Sequence, residues 1–253
     1  MRKKIPGTLV VTSVALLVVV NAAPPALAQE AGVAYPKMAP IEQYLMADRD
    51  AEIALARSAA PESVSHEATI LVLGRTGYET AVAGRNGFVC MVDRGWTGPF
   101  DWPERWNPKI RAAGCLNPQA ARSIVPIALL RTRMVIGGRS DAEIVSALAT
   151  AFEQKRLPTL ESGAMAYMMS RTAYLTDDGA HNMPHLMFYT RVRNSADWGA
   201  NVAGSPVLAS PFWFFSSKEA PRVKGLPPMI VFLVGLSTWS DGSAAHHDLG
   251  IVK

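Results

Sequence analysis

Apolar residues change their spacing several times along this chain, and each change marks an element. From Thr8 to Val20 they run almost unbroken. Between Ile41 and Ala60 they return every three or four positions: Ile41, Tyr44, Leu45 and Leu55 share one helical side, and Asp48, Arg49, Asp50 and Glu52 interrupt with charge. Pro40 suits the entry to a helix and Pro61 its end, so the spacing predicts a helix over 41–60. Ala68 to Leu73, Tyr78 to Ala83 and Phe88 to Val92 are β-branched, apolar or alternating runs separated by Gly74 to Gly77 and Gly84 to Gly87. They predict a three-stranded antiparallel meander, with Asn86-Gly87 as the stronger turn signal.

The helical period then returns. Asn117-Pro118 reads as an N-cap followed by proline in the first turn, opening a helix to Ile136 that Pro126 kinks or splits and Gly137-Gly138 stops. Ser140 and Glu143 form a capping box, with Ile144, Val145, Leu148 and Phe152 as the buried stripe of a helix to about Arg156. Ala164 to Ser170 and Leu186 to Val192 read as strands flanking a polar turn at Thr176 to Gly179, and Met229 to Leu236 as a central strand. Asn194 to Pro228 is rich in Gly, Pro and Ser and is expected to cross the surface, with Phe212 to Phe215 packing inward. These elements predict one α+β domain over 41–239, a mainly antiparallel sheet with about three helices packed on it. An extended lead over 29–40 precedes it, and a mobile tail over 240–253 with little to bury follows it.

The apolar run near the start carries its own message. Arg2, Lys3 and Lys4 precede it, and Ala26-Leu27-Ala28 places small residues where a signal peptidase reads. The run is too short to be a comfortable membrane span, which takes about 20 residues. A cleavable signal peptide over 1–28 is therefore expected, cut between Ala28 and Gln29, with the mature chain in the periplasm or the medium and without a membrane span.

Removing that leader takes three basic residues and no acid from a chain of 25 Lys+Arg and 21 Asp+Glu, so the mature protein is almost neutral. Nothing electrostatic then directs it to nucleic acid. In an oxidising compartment Cys90 and Cys115 read first as a disulfide, with two free buried thiols as the alternative; the bridge would be worth about 3.5 kcal/mol in the loop-entropy model.

Two segments hold candidate chemistry. The loop from Gly95 to Pro108 carries Trp96, Phe100, Trp102 and Trp106 among glycines and prolines that forbid a regular element. It reads either as an aromatic platform for a flat ligand, with Trp96, Trp102 and Trp106 as its contacts, or as a compact loop packed by its own rings. The second segment gathers Asp177, Asp178, His181 and His185 near a turn, residues suited to acid/base work or to a divalent metal. Pro184 keeps the two histidines off a continuous helix, and in an extended strand they would stand about 13 Å apart, so only a bent loop could bring them to one ion. The duller reading is a polar turn in which His185 bonds neighbouring backbone. No nucleophile elbow, P-loop or dinucleotide fingerprint occurs, and the methionines at 165, 168, 169, 183 and 187 fit core filling better than copper. No cofactor is indicated.

The stretches IEQYLMADRDAEIALARSAAP (41–61), LGRTGYETAVAGRNGFVCMVD (73–93), WNPKIRAAGCLNP (106–118), GAMAYMMS (163–170), PHLMFY (184–189) and WGANVAGSPV (198–207) resemble a family of uncharacterised exported bacterial proteins. The resemblance implies export and supplies no catalytic residue. The leading expectation is a non-enzymatic exported protein that binds a small ligand or an envelope partner through the Trp96–Trp106 loop. The alternatives are a metal-dependent or acid/base hydrolase centred on His181 and His185, and a structural envelope component.

Overall fold

The computed structural model describes residues 35–179, 183–191, 195–205, 207–211, 226–227 and 229–245. The expected signal peptide, His181, Phe212 to Phe215 and the last eight residues lie outside them. Residues 33–253 form one compact unit.

Its centre is an eight-stranded sheet: β1 (Thr69–Gly74), β2 (Gly77–Val82), β3 (Val89–Asp93), β4 (Ala112–Leu116), β5 (Met165–Met168), β6 (His185–Thr190), β7 (Val207–Pro211) and β8 (Ile230–Gly235). The spatial order is β2-β1-β3-β4-β5-β6-β8-β7. Every neighbouring pair is antiparallel except β1 and β3, which run parallel. The described helices are α1 (Arg49–Arg57), α2 (Glu62–Ser65), α3 (Pro118–Ser123), α4 (Val125–Ile136) and α5 (Asp141–Glu153). The α+β class and the mainly antiparallel sheet stand; five α-helices replace the expected three.

The expected meander is corrected in its third strand. β1 and β2 do form a hairpin closed by Gly74 and Gly77, but β3 lies on the other side of β1 and parallel to it. The chain crosses the end of β1 between Val82 and Val89. Gly84 makes that passage feasible, because a Cβ there would lie 2.2 Å from the Thr69 nitrogen. Asn86-Gly87 still bends the chain, with Gly87 at φ +78°, but it serves the crossing and not a hairpin. Hydrophobic alternation sets which face a residue takes and leaves pairing order open.

The first helix is shorter than its pattern. Ile41–Gln43 is one 3-10 turn, and the α-helix begins only where Asp48 caps the Asp50 N–H. Between them the chain turns to bury Tyr44 completely, its hydroxyl accepting from Ala39 N–H at 3.1 Å and donating to the Trp106 carbonyl at 2.8 Å. Pro126 splits the next helix into α3 and α4, and the Ser140/Glu143 capping box opens α5 as its sequence implies. Two strands escape the sequence pattern. β4 is only AAGCL, and β7 lies in the segment expected to wander.

Alternation gives the sheet two working faces. Ile70, Val72, Cys90, Val92, Ala113 and Cys115 pack beneath Ala56, Ala59 and Ala60 at the end of α1. On the other face Met91, Leu116, Ala166, Met168, Met187 and Tyr189 join the α3–α4 residues Ile124, Val125 and Ile127. Cys90 and Cys115 stand directly opposite one another on β3 and β4 and are disulfide-bonded, both fully buried. A buried ion pair ties helix to sheet. Arg94 Nη2 lies 2.9 Å from Glu52 Oε1, which also accepts the Leu73 N–H, and Arg94 Nε donates to the Tyr44 carbonyl. Among the described residues no helix is long and apolar enough to cross a membrane.

Candidate functional site

The Gly95–Pro108 loop is built of successive turns, as its glycines and prolines require. Trp102, Arg105 and Asn107 N–H groups each bond a carbonyl three residues back. The turns send its three tryptophans to different places. Trp96 is wholly buried, tilted against Tyr44 at 4.8 Å, with Nε1–H donating to Thr132 Oγ1 at 3.1 Å. It anchors the loop to α4 and meets no ligand. Trp102 is half-buried against Gly98, where a Cβ would lie 2.9 Å from its ring. Trp106 is half-buried and lines a cavity.

That cavity is an open groove of about 710 Å³ bounded by residues 35–40, Gln43, Trp106 and Pro108. Pro36, Pro40 and Pro108 stiffen its walls, since proline fixes φ and leaves little to order on binding. Pro40 itself sits at φ −50° and ψ 139°, an extended conformation that carries the lead past the indole. The groove is the size of a small-molecule site, which typically spans 300–1,000 Å³. The lead over 29–40, read from sequence as a passive extension, therefore supplies a wall through its described residues. The Tyr35-Pro36 and Pro40 spacing is the signal that could have shown it.

Beside the groove the second candidate segment joins the first. Asp177 Oδ1 accepts from Tyr174 Oη, from Asn107 Nδ2 at 3.0 Å and from Lys109 Nζ at 3.1 Å, while Oδ2 accepts from Tyr35 Oη at 2.5 Å. The Asp177 N–H in turn donates to the Glu104 carboxylate. The turn after β5 is thus stitched to the end of the tryptophan loop and to the lead. Hydrogen bonds from Tyr174 and Tyr35 hold the Asp177 carboxyl well below the usual carboxylate range. The same bonds raise both phenols, and the bonds to Asp177 and Tyr35 raise Lys109. Each member is fixed in one protonation state at neutral pH. For Asp177, Tyr35, Tyr174 and Lys109 that suits a permanent scaffold.

The other residues of the turn do different work. Asp178 Oδ1 accepts from Thr176 Oγ1. His185 is buried at the start of β6, opposite Met168 and Gly235, with Nδ1 2.8 Å from the Met183 carbonyl. That contact makes Nδ1 the protonated nitrogen, bonding neighbouring backbone as the duller reading expects. Among the described residues no three His, Cys, Asp or Glu side chains converge as a metal site requires.

A small internal cavity of about 30 Å³ lies between the sheet and α3–α4, over Gly114, Met168 and Tyr189. Asp93 faces it from the end of β3, with Oδ1 sealed from solvent and without a hydrogen-bond partner among the described residues. Burial raises its carboxyl to about 7, against the opposing charges of Arg94 and Arg131. The space is right for a water and too small for a metabolite. No family model, curated protein or solved structure matches this chain.

Proposed function

We propose that the protein is an exported, non-enzymatic binding domain that takes a small flat ligand in the groove between its lead and Trp106. The observation that carries this reading is the groove itself: a stiff, mostly apolar trough with one broad indole in its wall, braced by a hydrogen-bond hub that pins both sides. A half-buried tryptophan offers a large stacking area at low entropic cost, and proline walls need little ordering. The frozen protonation of Tyr35, Lys109, Tyr174 and Asp177 favours binding over acid/base catalysis at this place. Export follows from the leader pattern, and the buried disulfide fits an oxidising compartment.

The test is a screen of aromatic and alicyclic fragments by saturation-transfer NMR on the mature protein and on Trp106→Ala. Fragments that bind the wild type and are lost in a variant that still melts cooperatively support the reading. An absence of hits at millimolar concentration, or hits that survive the substitution, overturns it.

A further inference from the structure

The charges behind the groove say which flat ligands it favours. Trp106 is backed by Arg105, whose guanidinium carbon lies 4.4 Å from the indole centroid and 4.4 Å from that of Phe100, so both its faces are covered by rings. Arg105 Nη1 is bound to Asp141 and to the Phe100 carbonyl. Its Nε and Nη2 are sealed from solvent and have no acceptor among the described residues. That edge is buried and does not line the groove, so Arg105 acts on it only as the support behind Trp106.

A second guanidinium backs the rest of the wall. Arg111 donates to the carbonyls of Pro108 and Ile110 at 2.7 Å each, and at longer range to those of Gln43 and Leu45. Carbonyls satisfy its N–H groups and leave its charge uncompensated. Burial and the neighbouring Arg94 lower it to about 10, so it stays ionised at neutral pH. Lys37 stands exposed on the opposite wall, without a carboxylate partner among the described residues. Against these, Asp141 offsets Arg105 and Lys109 offsets Asp177. Glu104 faces the Asp177 turn and is engaged by the Asp177 N–H and by Asn107. Four cations, Arg105, Lys109, Arg111 and Lys37, stand against three carboxylates, Asp141, Asp177 and Glu104, so the groove side keeps one net positive charge, and Trp106 lies over the Arg105 guanidinium.

From this arrangement we infer that the groove selects organic anions: a flat apolar body stacked on Trp106, carrying a carboxylate or similar planar oxyanion drawn by Lys37 and by the positive charge of Arg111 behind the wall. This specificity rests on the groove reading above. Three isosteric probes separate the two claims: benzoate, benzamide and benzamidine, which differ in charge and hardly in shape. Each is titrated into the mature protein at low and high salt and followed by indole fluorescence.

Benzoate is expected to bind about tenfold more tightly than benzamide, the scale of one charge-assisted bond, with benzamidine weakest. Lys37→Gln, at an exposed position, should reduce that ratio at least twofold, and added salt should shrink it in the wild type. If benzamide or benzamidine binds as tightly as benzoate, the anion preference is wrong and the groove remains. If none of the three binds, the preference and the groove reading fall together. An unchanged benzoate-to-benzamide ratio in Lys37→Gln would also overturn the preference.

Discussion

Replacing Asp93 by asparagine should make the protein more stable at neutral pH, an unusual outcome for a polar change near a core. Asp93 closes β3 with its Oδ1 sealed and unpartnered, and burial lifts its carboxyl from 3.8 to about 7. The unfolded chain would release this proton near pH 4, whereas the folded chain keeps it until about pH 7. Between those values the folded state holds the extra proton, so stability is greatest below pH 4, falls as pH rises through the window and levels off above it. A difference of roughly three pH units corresponds to at most about 4 kcal/mol. Part of the residue reaches solvent, so the true penalty is smaller. Asparagine cannot ionise and removes the slope. The assay is urea unfolding of wild type and Asp93→Asn at pH 4.5 and pH 8. The wild type should lose about 1–3 kcal/mol more than the variant between the two, and the variant should be the more stable at pH 8. Parallel losses in the two proteins would refute the reasoning.

Other changes test the scaffold. Glu52→Gln leaves the Arg94 guanidinium buried without its counter-ion and should cost about 3–5 kcal/mol in chemical denaturation; a loss under 1 kcal/mol would show the pair to be dispensable. Replacing Cys90 and Cys115 together by alanine should cost about 3.5 kcal/mol through the freed loop, and the wild type should melt lower under reductant while the double variant does not respond. Asp177→Asn removes the charge that holds Lys109 and replaces one of the two oxygens that accept from Tyr35 and Tyr174 by an NH2 donor, so amides over 35–40 should exchange hydrogen faster at pH 7. The depressed carboxyl of Asp177 stabilises the fold above pH 4, and in the wild type this contribution fades only as pH falls below that value. Exchange at wild-type rates in the variant would show that the hub does not hold the lead.

The sequence exposed what depends on local periodicity and capping. The capping box at Ser140, the N-cap at Asn117 and the split at Pro126 all follow from residues near one another in the chain, and the Cys90–Cys115 bond follows from the chain having two cysteines. It hid what depends on long-range pairing. The parallel β1–β3 contact needs Gly84 to pass the end of β1, and a five-residue strand such as β4 carries too little pattern to be seen. The site was half legible. Trp106 and Asp177 both stand in segments marked for chemistry, but their juxtaposition, and the wall made by residues 35–40, arise only when the lead, the tryptophan loop and the turn after β5 meet. Trp96 shows the converse: an indole conspicuous in the sequence is spent on anchoring the loop, because a chain of turns needs a buried ring to fix it.

The groove is tested most directly by following the indole N–H signals of the mature protein's six tryptophans by ¹H–¹⁵N NMR while benzoate is added. The Trp106 signal should shift progressively to saturation, and the Trp96 signal, hydrogen-bonded to Thr132 in the core, should stay where it is. A titration that leaves Trp106 unmoved would contradict the central claim.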